Sequence, residues 1–238
     1  MFDLGTSFIA SVARDPHALA IVDDGIRLSY RQWHARISAV AAAFDQLGLK
    51  PGDHIVTVLQ NRWEAATLHW ACQLAGLVIT PVNWRAKSDE IDFYLADSQA
   101  RAIVYQDISA EAVRGSQGAS GLCRIAVGLD EHGDAGNLAQ MMTGSAPDIA
   151  PRVSADAWSI MLYTSGTTSQ PKGVPRRHAA ERTAGIAHVA QNMYRRGERT
   201  LGVMPLYHTM GVRSLIAMSL IGGAARPWAA RWFPRYRA

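Results

Sequence analysis

The most informative stretch of the sequence is WSIMLYTSGTTSQPKGV, residues 158–174. Its apolar run, residues 160–163, ends abruptly in a loop with five hydroxyl side chains, which are Thr164, Ser165, Thr167, Thr168 and Ser169. A short apolar run bounded by turn residues is typical of a buried strand. The stretch therefore predicts a strand that delivers a hydroxyl-rich loop to its carboxyl end.

The composition of this loop suits a polyphosphate ligand. Hydroxyl groups donate hydrogen bonds, glycine lets backbone N–H groups approach closely, and Lys172 adds a positive charge. A Walker A motif needs Gly before its Lys and Ser or Thr after it, whereas Pro171 and Gly173 flank Lys172. This excludes an ordinary P-loop kinase. The alternative is a polar surface loop without a ligand, and an uninterrupted TSGTTSQPKG after a buried strand fits that alternative poorly.

Upstream of the loop, apolar runs alternate with helical patterns. Asp24-Gly25 between two apolar runs predicts a β-hairpin. Apolar residues spaced by three and four predict a helix that Ser29 caps and Gly48 ends. Asn61 is predicted to cap a second helix, with Glu64 completing a capping box and Gly76 ending it. Further strands are predicted at residues 54–59, 77–82 and 101–105, and a further helix at residues 88–98.

The alternation of strands and helices with short connections indicates the fold class. It predicts an α/β fold of mainly parallel, helix-covered sheets, in which ligands bind at the carboxyl ends of the strands. Residues 115–121 and 128–151 are rich in Gly, Asp and Ser, and we predict that they are surface connections.

Charge is distributed unevenly along the 238 residues. Residues 1–150 hold 11 basic and 17 acidic side chains, whereas residues 151–238 hold 13 basic and 3 acidic ones. A positive field of this kind suits nucleic acid, a membrane surface or a nucleotide. The sequence has no zinc-finger spacing, no RNP-like strand and no long run of Lys and Arg, so nucleic acid is disfavoured as a partner.

Membrane insertion, secretion and metal scaffolding are also disfavoured. The longest uncharged apolar stretch, residues 215–225, has 11 residues, whereas a membrane helix needs about 20. The first 30 residues show no secretory pattern, so a cytoplasmic protein is expected. Cys72 and Cys123 belong to no CxxC pair, which predicts buried thiols and argues against a disulfide scaffold or a zinc site.

YTSGTTSQPKG, residues 163–173, resembles the phosphate-binding signature of the AMP-forming, acyl-adenylating enzymes, which include acyl- and aryl-CoA ligases. The resemblance continues in LSYRQWHARISAVAAAFDQLGLKPGD, HIVTVLQN, AGLVITPVNWRAKSDEIDFYLADSQARAIV and MPLYHTMG, and it covers nearly all of residues 29–223. PVNWR, the acidic helix after it and the PLYH-type segment are most similar to the acid-CoA ligases. MPLYHTMGVRSL is especially similar to those that take aryl or related carboxylates.

The resemblance implies the adenylate-forming fold and a two-step reaction. A carboxylate displaces pyrophosphate from ATP to give an acyl-AMP, and a thiol, usually coenzyme A, then takes the acyl group. The loop is implied to hold the β- and γ-phosphates, with Thr164 also contacting Mg²⁺. Carried over by position, the phosphate-binding residues are Thr164, Ser165, Gly166, Thr167, Thr168 and Lys172.

His208 is the catalytic candidate that the resemblance implies. It is expected at the end of a strand that starts at Leu201, between the nucleotide and the acyl pocket, as a gate or orienting group. The alternative is a partly buried structural histidine.

The sequence also departs from the family pattern. Ser169 stands where the family usually has Gly. After Gly223 there is no YG-x-TE-type segment, no ribose-binding TGD, no hinge residue and no C-terminal catalytic Lys. The chain is therefore expected to be an incomplete N-terminal part of the large domain, residues 1–223, inactive alone and prone to self-association through an incomplete sheet.

The last segment, AARPWAARWFPRYRA, is expected to be an unstructured tail. Residues 224–238 hold four Arg, four aromatic residues and no acid, and Pro227 and Pro234 interrupt any regular pattern. Without those four Arg, residues 1–223 contain 20 basic and 20 acidic side chains. Two other functions stay open, a non-catalytic nucleotide- or pyrophosphate-binding fragment and an Arg-rich interaction module.

Overall fold

A computed structural model of the chain describes residues 2–128, 136–164 and 170–227. Helices and strands alternate through most of this range. In chain order they are α1 (Leu4–Arg14), β1 (Leu19–Asp23), β2 (Ile26–Ser29), α2 (Tyr30–Gln46), β3 (His54–Val58), α3 (Trp63–Ala75), β4 (Val78–Pro81), α4 (Ser88–Ser98), β5 (Ala102–Gln106), α5 (Asp107–Gly115), β6 (Cys123–Val127), α6 (Leu138–Thr143), β7 (Trp158–Thr164), β8 (Lys172–Arg177), α7 (His178–Gln191), β9 (Arg199–Gly202), α8 (Thr209–Ile221) and β10 (Ala224–Pro227).

The described strands form two sheets. The larger has six strands in the order β6-β5-β3-β4-β7-β8, and all of its neighbours are parallel except β7 and β8. The smaller has four strands in the order β2-β1-β10-β9. Parallel pairing brings the carboxyl ends of β3, β4, β5 and β7 to one edge of the large sheet. The predicted α/β class is therefore confirmed.

Helices cover both faces of the large sheet because its strands are apolar on both faces. On one face, the ring of Phe8 from α1 stacks on Trp70 of α3 with centroids 4.7 Å apart and meets the edge of Trp33 of α2 at 5.5 Å. On the other face, Ile91 of α4 belongs to the buried cluster that contains Val56 of β3. Burial on two sides explains why these strands read as continuous apolar runs.

Several local predictions are confirmed by the chain geometry. The hairpin of β1 and β2 turns at Asp24 and Gly25, whose φ angles are 34° and 88°. The Ser29 hydroxyl accepts from the Gln32 backbone N–H at 3.3 Å, and the Gln32 side chain accepts from the Ser29 N–H at 2.9 Å. This capping box starts α2, and Gly48 follows its end with φ of 75°.

The start of α3 corrects one prediction. The helix begins at Trp63 with Arg62 at its N-cap, and Arg62 makes no side-chain cap. The carboxylate of Asp23, at the end of β1, accepts from the Trp63 N–H at 2.9 Å instead. Asn61 is therefore not the cap, because an acceptor distant in sequence satisfies the first turn of the helix.

The region around residues 115–151 is more ordered than predicted. It contains a 3₁₀ turn at Gly118–Gly121, the strand β6 and the helix α6, whose Leu138 and Met142 are buried. The prediction of plain surface connections is wrong for the residues of α6, whereas β6 lies between the two stretches predicted as connections. A six-residue helix is too short to display a period of 3.6, so only its packing reveals it.

The first part of the predicted tail is also a correction. Ala224–Pro227 form β10, which lies between β1 and β9 and runs parallel to both. The two alanines are buried and Arg226 is exposed, a pattern too short to recognise in the sequence. The boundary predicted after residue 223 is therefore wrong for these four residues. Residues 228–238 lie outside the described residues, and the predicted self-association stays a prediction.

The thiol and membrane predictions have simple outcomes. Cys72 is buried, which raises the pKa of its thiol, whereas Cys123 is only half-buried. Across the described residues, no helix combines the length and the apolar character that crossing a membrane requires.

Candidate nucleotide-binding site

Two of the predicted phosphate-binding residues, Thr164 and Lys172, face each other across the β7–β8 ladder. Thr164 ends β7, Lys172 begins β8, and their Cα atoms are register partners. Both side chains are exposed. The loop therefore leaves and re-enters the sheet at one point, on the edge where the parallel strands end. The other predicted loop residues, Ser165, Gly166, Thr167 and Thr168, lie outside the described residues, as does Ser169.

Strand β7 fixes the β7–β8 hairpin to the rest of the large sheet. Ile160 and Leu162 are buried, and Ile160 is the register partner of Ile79 in β4. Next to the loop, the Tyr163 hydroxyl donates to the Asp97 carboxylate of α4 at 2.7 Å. Burial and the nearby Asp97 charge raise the pKa of Tyr163, so this phenol stays protonated at neutral pH. The loop thus starts from a fixed strand end.

A buried ion pair joins β8 to the next helix. The Arg176 Nε lies 2.7 Å from a carboxylate oxygen of Glu181 in α7, and Glu181 is fully buried. Burial raises the pKa of Glu181, while Arg176 and Arg213 oppose that rise. Arg176 also donates to the Thr209 hydroxyl at 3.3 Å, which links the strand of Lys172 to the first turn of α8.

His208 occupies the N-cap position of α8, and its side chain is exposed. The strand predicted from Leu201 ends early, at Gly202, and residues 203–208 connect it to the helix. The ring of Tyr207 lies against that of His208 with centroids 4.6 Å apart. The alternative of a partly buried structural histidine is not what the structure has, and an imidazole at the surface is accessible to a ligand.

The structure explains why the last residue of the MPLYHTMG motif, Gly211, is a glycine. A Cβ atom at this position would lie 2.2 Å from the Pro205 carbonyl oxygen and 2.7 Å from that of Met204. Backbone carbonyls cannot move aside as a flexible side chain can. The close return of residues 204–205 over the first turn of α8 therefore requires glycine.

Asn61, which the sequence predicted as a helix cap, instead makes contacts that sequence reasoning missed. It follows β3, at the same sheet edge as Thr164, and its amide nitrogen donates to the Gly202 carbonyl at 2.9 Å and the Met204 carbonyl at 2.8 Å. Its amide oxygen accepts from the Leu206 N–H at 2.8 Å. The partners are 141 to 145 positions away, so no local pattern could have revealed them.

The side-chain groups of this loop that suit Mg²⁺ are oxygen atoms, chiefly those of its hydroxyls. Among the described residues, no three His, Cys, Asp or Glu side chains are grouped as metal ligands. Mg²⁺ keeps several waters and takes few protein ligands when phosphates complete its shell. The exposed hydroxyl of Thr164 is compatible with such a contact.

A separate cavity of about 430 Å³ opens beside Asn61, near the carboxyl ends of β3 and β5. Four carboxylates line it, those of Asp23, Asp24, Glu64 and Asp107, against the single guanidinium of Arg62. The Arg62 side chain is already paired with Glu64 at 2.7 Å. An acidic lining repels phosphate, so this cavity is a poor alternative to the β7–β8 loop.

Comparison with known proteins agrees with this geometry. The AMP-binding enzyme family matches residues 8–233, and the chain belongs to this family.

Among curated relatives, the chain is 27% identical over 201 residues to a long-chain-fatty-acid–CoA ligase of Mycobacterium tuberculosis (FadD13), covering 83% of this chain and 39% of the relative. It is 28% identical over 221 residues to a feruloyl-CoA synthase of Amycolatopsis, covering 92% of this chain and 42% of the relative. The chain thus spans about two fifths of the length of these relatives.

Solved structures share the fold. The inhibitor-bound N-terminal domain of FACL13 from Mycobacterium tuberculosis superposes with a TM-score of 0.85 at 24% identity, covering 97% of this chain and 59% of that one. A protein from Rhodopseudomonas palustris assigned as a long-chain-fatty-acid CoA ligase superposes with a TM-score of 0.86 at 26% identity, covering 94% and 57%. The architecture is that of adenylate-forming acyl-CoA ligases.

Proposed function

We propose that this chain contributes the phosphate-binding part of an ATP-dependent acid-CoA ligase. The observation that carries the proposal is the exposed pair of Thr164 and Lys172, which open and close one loop at the carboxyl edge of a parallel sheet. Ligands of α/β proteins bind at this edge. The loop's hydroxyls, glycine and single lysine match the chemistry of a polyphosphate.

In the first proposed step, a carboxylate oxygen of the acid bonds to the α-phosphorus of ATP. The bond from that phosphorus to its bridging oxygen breaks, and pyrophosphate leaves. Lys172 and the loop residues Ser165, Gly166, Thr167 and Thr168 hold the β- and γ-phosphates in this proposal. Their donors stabilise the negative charge that accumulates on the leaving group.

Mg²⁺, held in part by the Thr164 hydroxyl, would supply further neutralisation of phosphate charge. Thr164 and Lys172 are register partners at the two ends of the loop, and in this proposal the hydroxyl and the ammonium both serve the phosphates.

In the second step, the thiol of coenzyme A attacks the acyl carbonyl and AMP leaves. We assign His208 to the acyl side, as the group that orients the carboxylate or the acyl-AMP. Its exposed position at the start of α8 and its link to β8 through Thr209 and Arg176 support this role.

The acid is proposed to be an aryl or related carboxylate. MPLYHTMGVRSL is the segment that supports this class. The relatives act on both kinds of acid by name, a feruloyl-CoA synthase on one side and a long-chain-fatty-acid ligase on the other. A panel of aryl and long-chain acids therefore tests the assignment.

Titration calorimetry with pyrophosphate and with ATP tests the phosphate site. Lys172→Ala should weaken binding by about 1.5–3 kcal/mol, or about 10- to 150-fold, because a charge-assisted contact is lost. Lys50→Ala is the matched control, since Lys50 is an exposed lysine in the turn before β3, at the opposite edge of the sheet. Equal affinities of the wild type and Lys172→Ala would reject the phosphate site.

Acid-dependent release of pyrophosphate separates a ligase from a non-catalytic nucleotide-binding fragment. We propose that the 238-residue chain binds pyrophosphate but does not turn over, because its sequence has no ribose-binding TGD and no C-terminal catalytic lysine segment. Turnover at an enzyme-like rate, about 1 per second or faster, would show that these segments are dispensable.

A further inference from the structure

The Asn61 side chain makes three hydrogen bonds to the backbone of one segment, residues 202–206. The amide nitrogen donates to the carbonyls of Gly202 and Met204, and the amide oxygen accepts from the N–H of Leu206. Distances of 2.8 to 2.9 Å are those of well-formed hydrogen bonds. One side chain thus satisfies backbone groups of Gly202, at the end of β9, and of Met204 and Leu206 in the connection that follows.

The chemistry requires an amide. Two donors on one atom and an acceptor on its neighbour are found only in Asn and Gln, and Gln is one methylene longer. Aspartate would keep the acceptor for Leu206 but would place an oxygen against two carbonyl oxygens. Alanine would leave the three backbone groups to water.

The segment that Asn61 holds leads directly to His208. Residues 203–208, all within the described part of the chain, form neither helix nor strand. The Val203 N–H donates to the Leu201 carbonyl at 2.9 Å, and the His208 N–H donates to the Pro205 carbonyl at 3.0 Å. Two contacts therefore fix the turn at Pro205: the hydrogen bond from the Leu206 N–H to Asn61 and the close approach of Gly211 to the Pro205 carbonyl.

We propose that Asn61 is a positioning residue, which holds residues 202–206 against the carboxyl end of β3 and thereby sets the place of His208 at the nucleotide-binding edge. The role for His208 rests on the proposed function, whereas the hydrogen bonding of Asn61 does not. Asn61 itself is not a catalytic residue, since its amide is occupied by the backbone.

Hydrogen exchange of the full chain tests the clamp directly. In Asn61→Ala, the Leu206 amide should exchange at least about tenfold faster, because its acceptor is lost. Asn61→Asp should loosen the segment as well, although the acceptor for Leu206 remains. The β3 amides should keep their wild-type rates in both variants, and Asn192→Ala, an exposed asparagine in the turn after α7, should change neither region.

The proton spectrum of the His208 ring gives a second readout. The Tyr207 ring at 4.6 Å shifts the His208 resonances, so a displaced segment changes their chemical shift. The spectra of all variants are compared at one and the same pH, and His208→Gln assigns the signal.

Three outcomes decide the proposal. Local acceleration at Leu206 with a shifted His208 signal supports it. Unchanged exchange at Leu206, or acceleration that is equal in β3, overturns it. Pyrophosphate affinity in Asn61→Ala should stay at the wild-type value because the β7–β8 hairpin is untouched. If no variant binds pyrophosphate, the proposed function fails while the exchange result still judges the clamp.

Discussion

The β7–β8 hairpin and the segment 202–211 lie at the same edge of the molecule but are held by different kinds of contact. The hairpin is fixed by its own ladder, in which Thr164 pairs with Lys172 only eight positions away. The segment 202–211 is fixed by Asn61, more than 140 positions away, and by Arg176 through Thr209. A binding site can therefore combine one part that is local and one part that exists only in the folded chain.

The buried ion pair between β8 and α7 should produce the largest effect. Glu181→Ala leaves the Arg176 guanidinium without its carboxylate in a mostly buried place, and breaking such a pair costs about 3–5 kcal/mol. Urea unfolding measures the loss. Asp45→Ala, which breaks the exposed Arg152–Asp45 pair, should cost less than about 1 kcal/mol. Comparable losses in the two variants would show that Arg176 and Glu181 do not act as a buried pair.

Acid should lower the free energy of unfolding, because two histidines are buried, one of them directly after β8. His178 follows β8 directly and is buried with a pKa lowered to about 4, and burial lowers the pKa of His69 to about 3. Below about pH 6.5 these two histidines bind protons in the unfolded chain but stay neutral in the folded one. The free energy of unfolding should therefore fall by about 1.4 kcal/mol per pH unit for each histidine between about pH 6.5 and 4.

Denaturation at several pH values measures this slope. The raised pKa values of Asp23 and Glu181 act with the opposite sign, so the comparison is between the wild type and His178→Gln. Glutamine can still accept from the Leu4 N–H that His178 accepts at 3.3 Å. The variant should lose about one histidine's share of the slope, and an unchanged slope would mean that His178 does not titrate as buried.

Gly211→Ala should disturb the segment 202–211 without touching the hairpin. Its methyl group would meet two backbone carbonyls, and overpacking of this kind costs about 1–3 kcal/mol. Gly121→Ala is the control because a Cβ there meets nothing within 4 Å. A thermal unfolding midpoint that falls equally in both variants would contradict the close approach over α8.

Tyr163→Phe is the smallest perturbation and probes the hairpin alone. Removing the hydroxyl that donates to Asp97 should cost about 0.5–1.5 kcal/mol. Exchange at Leu206 should stay at the wild-type rate, in contrast to Asn61→Ala. Faster exchange at Leu206 in Tyr163→Phe would show that the two regions are not held independently.

Sequence patterns predicted the locally determined elements well. The cap of α2 by Ser29, the turn at Asp24 and Gly25 and the buried β7 all depend on neighbours within a few positions. The positions of Thr164 and Lys172 at a loop after a strand follow from the same kind of signal. Short elements such as α6 and β10 were missed because four to six residues do not display a period.

The sequence by itself determined the fold class and the family signature, because hydrophobic periodicity, caps and the loop composition are local properties of the chain. Only the tertiary structure decided that Ala224–Pro227 join a sheet, that Asp23 starts α3, and that Asn61 holds the segment before His208. Each of these depends on hydrogen bonds between groups far apart in sequence. Local sequence predicts that a polar side chain such as that of Asn61 caps the helix that follows it. In the folded chain it bonds instead to the unsatisfied backbone groups that the tertiary structure brings within hydrogen-bond distance.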